Sequence, residues 1–374
     1  MKVLLIGNYP HLNSQSMDRF AGMLLDGLKQ TGHQARLLKP APILGRLRPS
    51  PTGLGKWIGY IDRFLFFRPH LRKAVDWADV VHICDQANAV YVPLLKAKPH
   101  VVTCHDMLAI RSALREIPEN RTGLTGRIYQ RWILSGLKKA RHVACVSDTT
   151  RTDVLRLTKL SPEQVSVVYN GINYPYRPMA PNEFNGHLEK MGLAHFKPFF
   201  LHVGNNNWYK NKAGLLRIFT QMVHLYGKSN LNLVLAGVAM PENLARFARD
   251  LGICDRIREA TNVTNEQLCA LYSAAQGLIF PSLYEGFGWP VIEAQACGCQ
   301  VFTSNRKPMT EVGGDGAVYF DPKDETDAAQ KILGAIENKG KLMERGFRNV
   351  AKYSTSAMLD GYCRFYLAAQ AERA

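Results

Sequence analysis

Short apolar runs alternate with helical stretches along this chain, and the alternation begins twice. In the first half the apolar runs fall at residues 3–6, 35–38, 80–83, 101–104, 143–146 and 165–169. Helical patterns lie between them, among them 17–31, closed by Gly32, and 126–139. A second series starts at 199–203 and continues at 231–235, 277–280, 300–303 and 318–320. Strand, helix and strand in this order predict parallel sheets covered by helices, because parallel neighbours need a long crossover. A chain of 374 residues exceeds one ordinary core and predicts two domains of similar size. The stretch 173–186, NYPYRPMAPNEFNG, is rich in Pro and Asn and reads as their connection. The expected division is 1–175, 187–353 and a closing helical segment, 354–374, that carries Met358, Tyr362, Phe365 and Tyr366. The fold class is α/β, with two Rossmann-like doubly wound domains. Such sheets bind ligands at the carboxyl ends of their strands, so the two are expected to face a central crevice.

Composition places the chain among folded globular proteins, with 46% hydrophobic and 21% charged residues. No apolar run reaches the ~18–20 residues that a membrane-spanning helix requires. The opening MKVLLIGNYP has an apolar core of residues 3–6 alone, which suits a first strand and is too short for a signal peptide. The cytoplasm is therefore the expected location. The eight cysteines are scattered, Cys297 and Cys299 being the one close pair, and are expected to be reduced and buried. No metal site is expected.

Charge is distributed unevenly. Residues 1–180 hold 26 Lys/Arg against 12 Asp/Glu, a net of +14, whereas the rest holds 21 against 19, a net of +2. The basic half calls for an anionic partner: nucleic acid, anionic lipid or a phosphorylated substrate. No recognisable nucleic-acid-binding motif accompanies the charge, so nucleic acid is not the expected partner. A basic nucleic-acid-binding protein is the alternative from another class.

The chemistry concentrates in residues 279–304, IFPSLYEGFGWPVIEAQACGCQVFTS. Pro290 suits the start of a helix and Gly298 the position past its end. Before it, Gly286, Phe287 and Gly288 form a turn that feeds free backbone N–H groups toward the helix start, a seat for phosphate. Glu285 in the turn and Glu293 in the first helical turn cannot be there for a phosphate, which they repel. They can accept hydrogen bonds from sugar hydroxyls. Backbone donors flanked by two such acceptors describe a nucleotide-sugar site.

Glu285-x7-Glu293 in this setting closely resembles the signature of the retaining glycosyltransferases of family 4, which have the GT-B fold. The resemblance covers nearly the whole chain, with its sharpest matches in the second half. It implies that Glu293 accepts from the donor's ribose and Glu285 from its sugar. Gly204-Asn205 and Lys210, in HVGNNNWYKN, look like the segment that grips the diphosphate. Asn205 stands where a basic residue is often found, so Lys210 carries alone a role often shared by two cations. His105, in VTCHD, is similar to the strand-end histidine beside the donor sugar, with Asp106 next to it. Ser147 and Gly171 match architectural signposts, and a helix such as 354–373 crosses back onto the first domain in that family. After the first strand the sequence departs from the family's paired glycines. Ser14 and Ser16 stand there instead, as helix caps or as acceptor-side groups together with Asp106.

Residues 56–73, KWIGYIDRFLFFRPHLRK, place Trp57, Ile61, Phe64 and Leu65 on one helical face beside Lys56, Arg63, Arg68, Arg72 and Lys73. This is the pattern of an interfacial helix and equally of a core helix with a basic edge. A second basic stretch, 111–141, carries 8 Lys/Arg against Glu116 and Glu119. The combined expectation is a metal-independent hexosyltransferase without a cofactor. Its donor would be a UDP- or GDP-sugar, and its acceptor a hydroxyl of a glycan or glycolipid. Peripheral attachment to an anionic membrane surface, at its inner face, would suit such an acceptor. A soluble acceptor, or an epimerase-like or phosphorylase-like enzyme of the same fold, is the alternative.

Overall fold

The computed structural model describes residues 1–12, 15–50, 52–95, 98–225, 231–336 and 339–371. It contains two compact units, unit 1 of residues 1–173 and 355–374, and unit 2 of residues 174–354. The sheet of unit 1 is built from β1 (Lys2–Ile6), β2 (Gln34–Leu38), β3 (Val80–Ile83), β4 (His100–Cys104), β5 (His142–Cys145) and β6 (Val165–Val167). Their order across the sheet is β2-β1-β3-β4-β5-β6, and all neighbours are parallel. Unit 2 has β7 (Phe199–Gly204), β8 (Asn232–Gly237), β9 (Ile257–Thr261), β10 (Leu278–Phe280), β11 (Val301–Ser304) and β12 (Val318–Phe320). Here the order is β12-β11-β10-β7-β8-β9, again parallel throughout.

Helices cover both faces of each sheet, so the central strands are dry and nearly all apolar. Val3 to Ile6 are at most 1% exposed, and Phe199, Phe200 and Leu201 are fully buried. The sequence pattern misses β9, whose IREAT buries only Ile257 and Ala260 because it is an edge strand. It also places too much chain in the connection: the helix Pro181–Lys190, started by Pro181, already belongs to unit 2.

The helix Thr355–Ala371 packs on unit 1. Tyr366 Oη meets His82 Nδ1 at 2.6 Å, and Tyr362 Oη meets Thr103 Oγ1 at 2.9 Å. His82 Nε2 also meets Thr103, at 2.7 Å, so β3, β4 and the last helix share one buried network. Ser147 caps the helix Asp148–Thr158, its Oγ accepting from Thr150 N at 3.2 Å. Six of the cysteines are buried, but Cys254 is exposed and Cys363 half-buried, which departs from the expected uniform burial.

The basic aromatic stretch is helical from Gly53 to Trp77, with a π-helical turn at Asp62–Phe66. That turn inserts an extra residue and shifts the register of the helical faces. Phe64 consequently turns inward, its ring 4.7 Å from that of Trp132, and leaves the apolar face predicted for it. Leu54, Trp57, Ile61 and Leu65 remain exposed, at 57, 52, 41 and 62%. Arg63 does not join the basic edge either. It is 2% exposed, donates from Nη2 to Tyr129 Oη at 2.5 Å and lies over the Phe64 ring. Among the described residues no helix is long and apolar enough to cross a membrane.

Candidate functional site

In unit 2 the chain leaves β10, passes buried Pro281 and Ser282, and turns into the helix Trp289–Ala296. Gly288 makes that turn with φ +101°, a conformation that L side chains rarely adopt. A Cβ there would also lie 2.5 Å from the Met309 methyl group, which would have to shift. Among the described residues the backbone N–H groups of Gly286, Phe287 and Gly288 have no acceptor. They precede a helix N-terminus, where the peptide dipoles favour an anion. The Phe287 side chain is 5% exposed and packs edge-on against Tyr353, 5.6 Å between centroids, which fixes the turn.

A second loop is stapled to this one. Asn211 adopts the left-handed conformation, φ 55° and ψ 42°. Its amide donates to the carbonyls of Pro281 and Pro322, both at 3.2 Å, and its Oδ1 accepts from Gly214 N. Leu283 N donates to the Tyr209 carbonyl at 2.7 Å. Between these staples Lys210 Nζ reaches Glu285 Oε1 at 2.6 Å, the two side chains being 12% and 10% exposed. Residues expected to serve the diphosphate and the sugar separately are thus in direct contact.

Glu293 is the fifth residue of its helix and lies in the second turn, because the helix begins at Trp289 and not at Pro290. It is 3% exposed, and its Oε2 accepts from Tyr272 Oη at 3.0 Å. Burial first, and then the neighbouring carboxylate, pushes the Tyr272 phenol well above its usual range. That keeps Tyr272 a donor to Glu293.

At the ends of β7 and β8 two glycines let the strands approach. A Cβ on Gly237, whose φ is +130°, would stand 2.6 Å from the Gly204 carbonyl oxygen. Asn205 Oδ1 accepts from Asn207 N at 3.0 Å, turning its side chain back onto its own loop.

Sequence reasoning missed several polar groups here. Lys212 opens the helix Lys212–Leu225 at 5% exposure, and its Nζ donates to Asn206 Oδ1 at 2.7 Å and the Val238 carbonyl at 3.3 Å. Burial holds its pKa below the usual lysine range. Its closeness to Lys210 in sequence was the available signal. His202 on β7 is fully buried; Nδ1–H donates to the Ile279 carbonyl at 3.0 Å, and Nε2 has no partner among the described residues. Burial lowers its pKa to about 3, with Lys212 and Lys210 adding to the effect. Ser282 Oγ and Ser304 Oγ are likewise buried without partners. All three orphans lie at or near the carboxyl ends of β7, β10 and β11, the end where doubly wound sheets take their ligands.

In unit 1 the imidazole of His105 is 6% exposed, donates from Nε2 to the Cys84 carbonyl at 2.8 Å and meets Phe20 edge-on at 4.8 Å. Burial lowers its pKa, partly opposed by Asp85. Asp106 Oδ1 accepts from Leu108 N at 2.8 Å, and its carbonyl accepts from Gln86. Ser16 is an exposed residue inside the helix Gln15–Gln30 and so does not cap it; Ser14 lies outside the described residues. Two groups not anticipated stand after β1 and β3. Asn8 Nδ2 donates to Asp85 Oδ2, and Asn88 Nδ2 to Asn8 Oδ1, both at 2.6 Å.

Known proteins match both units. Residues 17–174 match the family described as Glycosyltransferase Family 4, and residues 186–352 match Glycosyl transferases group 1. The O-antigen chain mannosyltransferase B of Escherichia coli is 29% identical over 244 residues, 64% of this chain and 61% of that one. The O-antigen chain mannosyltransferase RfbU of Salmonella typhimurium is 30% identical over 234 residues, 62% of this chain and 61% of that one. The match therefore spans about 61% of the length of these curated relatives. Among solved structures, Anabaena Alr3699/HepE in complex with UDP and glucose superposes with a TM-score of 0.73 at 16% identity, covering 97% of this chain and 98% of that one. That likeness, with the two parallel six-stranded sheets, shows the GT-B fold.

Proposed function

The chain belongs to the family 4 glycosyltransferases of GT-B fold, and from that premise we propose that it moves a hexose from a nucleoside-diphosphate sugar to an acceptor hydroxyl. One observation carries the reading. Three backbone N–H groups without acceptors among the described residues, at Gly286 to Gly288, open onto a helix N-terminus, and the Lys210–Glu285 pair joins the same turn to the neighbouring loop. Such donors suit a diphosphate, and the carboxylates of Glu285 and Glu293 suit hydroxyls. Support for a nucleotide sugar comes from the UDP and glucose bound by the Anabaena neighbour, and for a cell-envelope glycan from the two O-antigen relatives.

In the proposed reaction the bond between the sugar's anomeric carbon and the phosphate oxygen breaks, and a bond to the acceptor oxygen forms on the same face. The acceptor's proton passes to a phosphate oxygen, and the nucleoside diphosphate leaves. Lys210 exchanges Glu285 for the departing diphosphate, which frees Glu285 to accept from the sugar. Backbone donors that are already oriented need no reorganisation as charge develops. Asn205, turned onto its own loop, acts on the loop's shape, and Lys212 holds Asn206 in the same loop. This charge stabilisation comes from the chain itself, so the reaction is metal-independent. Acceptor recognition falls to unit 1, with Asp106 and Ser16 as candidates, and the exposed apolar and basic residues of Gly53–Trp77 attach the enzyme to an anionic membrane surface.

The test is transfer and hydrolysis measured over a panel of UDP-, GDP- and ADP-sugars, with and without EDTA. Turnover of one of them that survives EDTA is expected. No turnover and no thermal shift with any of them would remove the proposal, and activity lost in EDTA and restored by magnesium or manganese would remove its metal-free part.

A further inference from the structure

A cavity of about 420 Å³ in unit 1 is lined by Arg115, Arg121 and Arg127, with Ser112, Asn120 and Thr122 between them. No carboxylate lines it. Two of the acids nearby are already engaged: Glu116 and Asp153 pair with Arg111 and Arg156 at 2.7–3.2 Å, while Glu119 is exposed to solvent and does not line the cavity. Their engagement is strong enough that the Arg156 hydrogen bond, with Arg111 beside it, holds the Glu116 carboxyl below its usual range. Arg115, Arg121 and Arg127, by contrast, have no ion pair among the described residues. The Nε of Arg127 is buried without a hydrogen-bond partner among the described residues.

A buried guanidinium N–H without an acceptor is expensive, and Arg115 and Arg121, though exposed to solvent, add like charge at the same cavity. One anion with several oxygens relieves both at once. Phosphate fits best, since arginine forks match its oxygens two at a time. The neutral donors fit the same ligand: Thr122 carries a hydroxyl, and Asn120 is held in place by donating to Ser112 Oγ at 3.0 Å. We propose that this cavity is a binding site for a phosphate group. The inference does not rest on the donor reading of unit 2, which concerns other residues. Leu124 and Ile128, 69% and 60% exposed, sit on the helix that carries Arg127, so a phosphate borne on a lipid and a soluble one are both to be tried.

The test compares the whole protein with its Arg115→Gln/Arg121→Gln/Arg127→Gln variant and with Lys29→Gln/Arg46→Gln/Lys159→Gln, which removes equal charge from exposed positions elsewhere on unit 1. Each is titrated with inorganic phosphate, and with vesicles containing phosphatidic acid or, at matched surface charge, phosphatidylserine. Wild type is expected to prefer phosphate in one of these forms, and the first variant to lose at least about tenfold in that binding while the second keeps the preference. Preference for phosphatidic acid vesicles identifies a lipid source; binding of free phosphate alone identifies a soluble one. Equal losses in the two variants, or none in the first, overturn the proposal. Unchanged nucleotide-sugar binding by the first variant checks that it is folded and keeps this result separate from the donor site.

Discussion

The two units treat their cations differently. Around the turn of unit 2, Lys210 is held by Glu285 and Lys212 by a side-chain amide and a carbonyl, each at 5–12% exposure and each with a set direction. Across residues 111–141 of unit 1 the arginines outnumber the acids, and three line a cavity without any ion pair among the described residues. Both halves share one architecture, so the contrast comes from side chains and not from the fold. A cation that meets charge at one reacting atom has to be held before the ligand arrives, whereas a surface that attracts a larger anion can leave its cations unpaired. The net charges of +2 and +14 in the two parts of the sequence follow from that division.

The largest effect is expected at Lys210. Lys210→Ala should lower kcat by about 10²–10³ while nucleoside binding changes little, because the charge it meets develops in the transition state. Comparable losses in kcat and in nucleoside affinity would make it a ground-state contact and blur the contrast with unit 1.

Acid should weaken both units alike. His82 in unit 1 and His202 in unit 2 are fully buried, and burial lowers each pKa from 6.5 to about 3. Between those values the unfolded chain binds more protons, so stability is complete above the unfolded pKa and falls as pH drops below it. Each histidine contributes a loss of about 1.4 kcal/mol per pH unit in that window. Urea denaturation between about pH 7 and pH 5 should show this fall, with a shallower slope in His202→Gln; a flat profile would mean the imidazoles are not held neutral.

Glu293→Ala should weaken donor binding by about 1–3 kcal/mol, by leaving hydroxyls in a dry site without their acceptor. Tyr272→Phe removes the Tyr272–Glu293 bond but keeps the carboxylate, and should cost stability with little loss of donor affinity. If the two variants bind donor equally well, Glu293 is structural.

The smallest effects concern the exposed face of Gly53–Trp77. Neutralising Arg68, Arg72 or Lys73 should weaken binding to anionic vesicles by about 1 kcal/mol each, and salt should erase the difference. Trp57→Ser with Ile61→Ser should remove the fraction that salt does not release, as sedimentation with vesicles would show. Failure of wild type to sediment at low salt ends the membrane reading and leaves a soluble anionic acceptor as the reason for the basic half.

Much of the fold could be read from the sequence because buried parallel strands are continuous apolar runs. The exceptions have physical causes. IREAT at β9 is an edge strand, and the π-helical turn at Asp62–Phe66 shifts the helical register, so neither follows from simple periodicity. The turn at 285–293 was readable because glycine, proline and two carboxylates lie within one short stretch. The Lys210–Glu285 contact joins residues 75 apart in sequence, and no local pattern encodes it. His202 and Lys212 looked like ordinary members of a strand and a helix start. Their burial, which gives them meaning, is a property of the packed unit.

The central claim is that the backbone of the 285–288 turn receives a diphosphate. Hydrogen–deuterium exchange of the whole protein, with and without saturating nucleoside diphosphate, tests it at those amides. The account predicts slowed exchange at Gly286, Phe287 and Gly288 and in the 204–212 loop, with the 111–127 segment of unit 1 unchanged. Unaltered exchange at the turn, together with protection elsewhere, would contradict it.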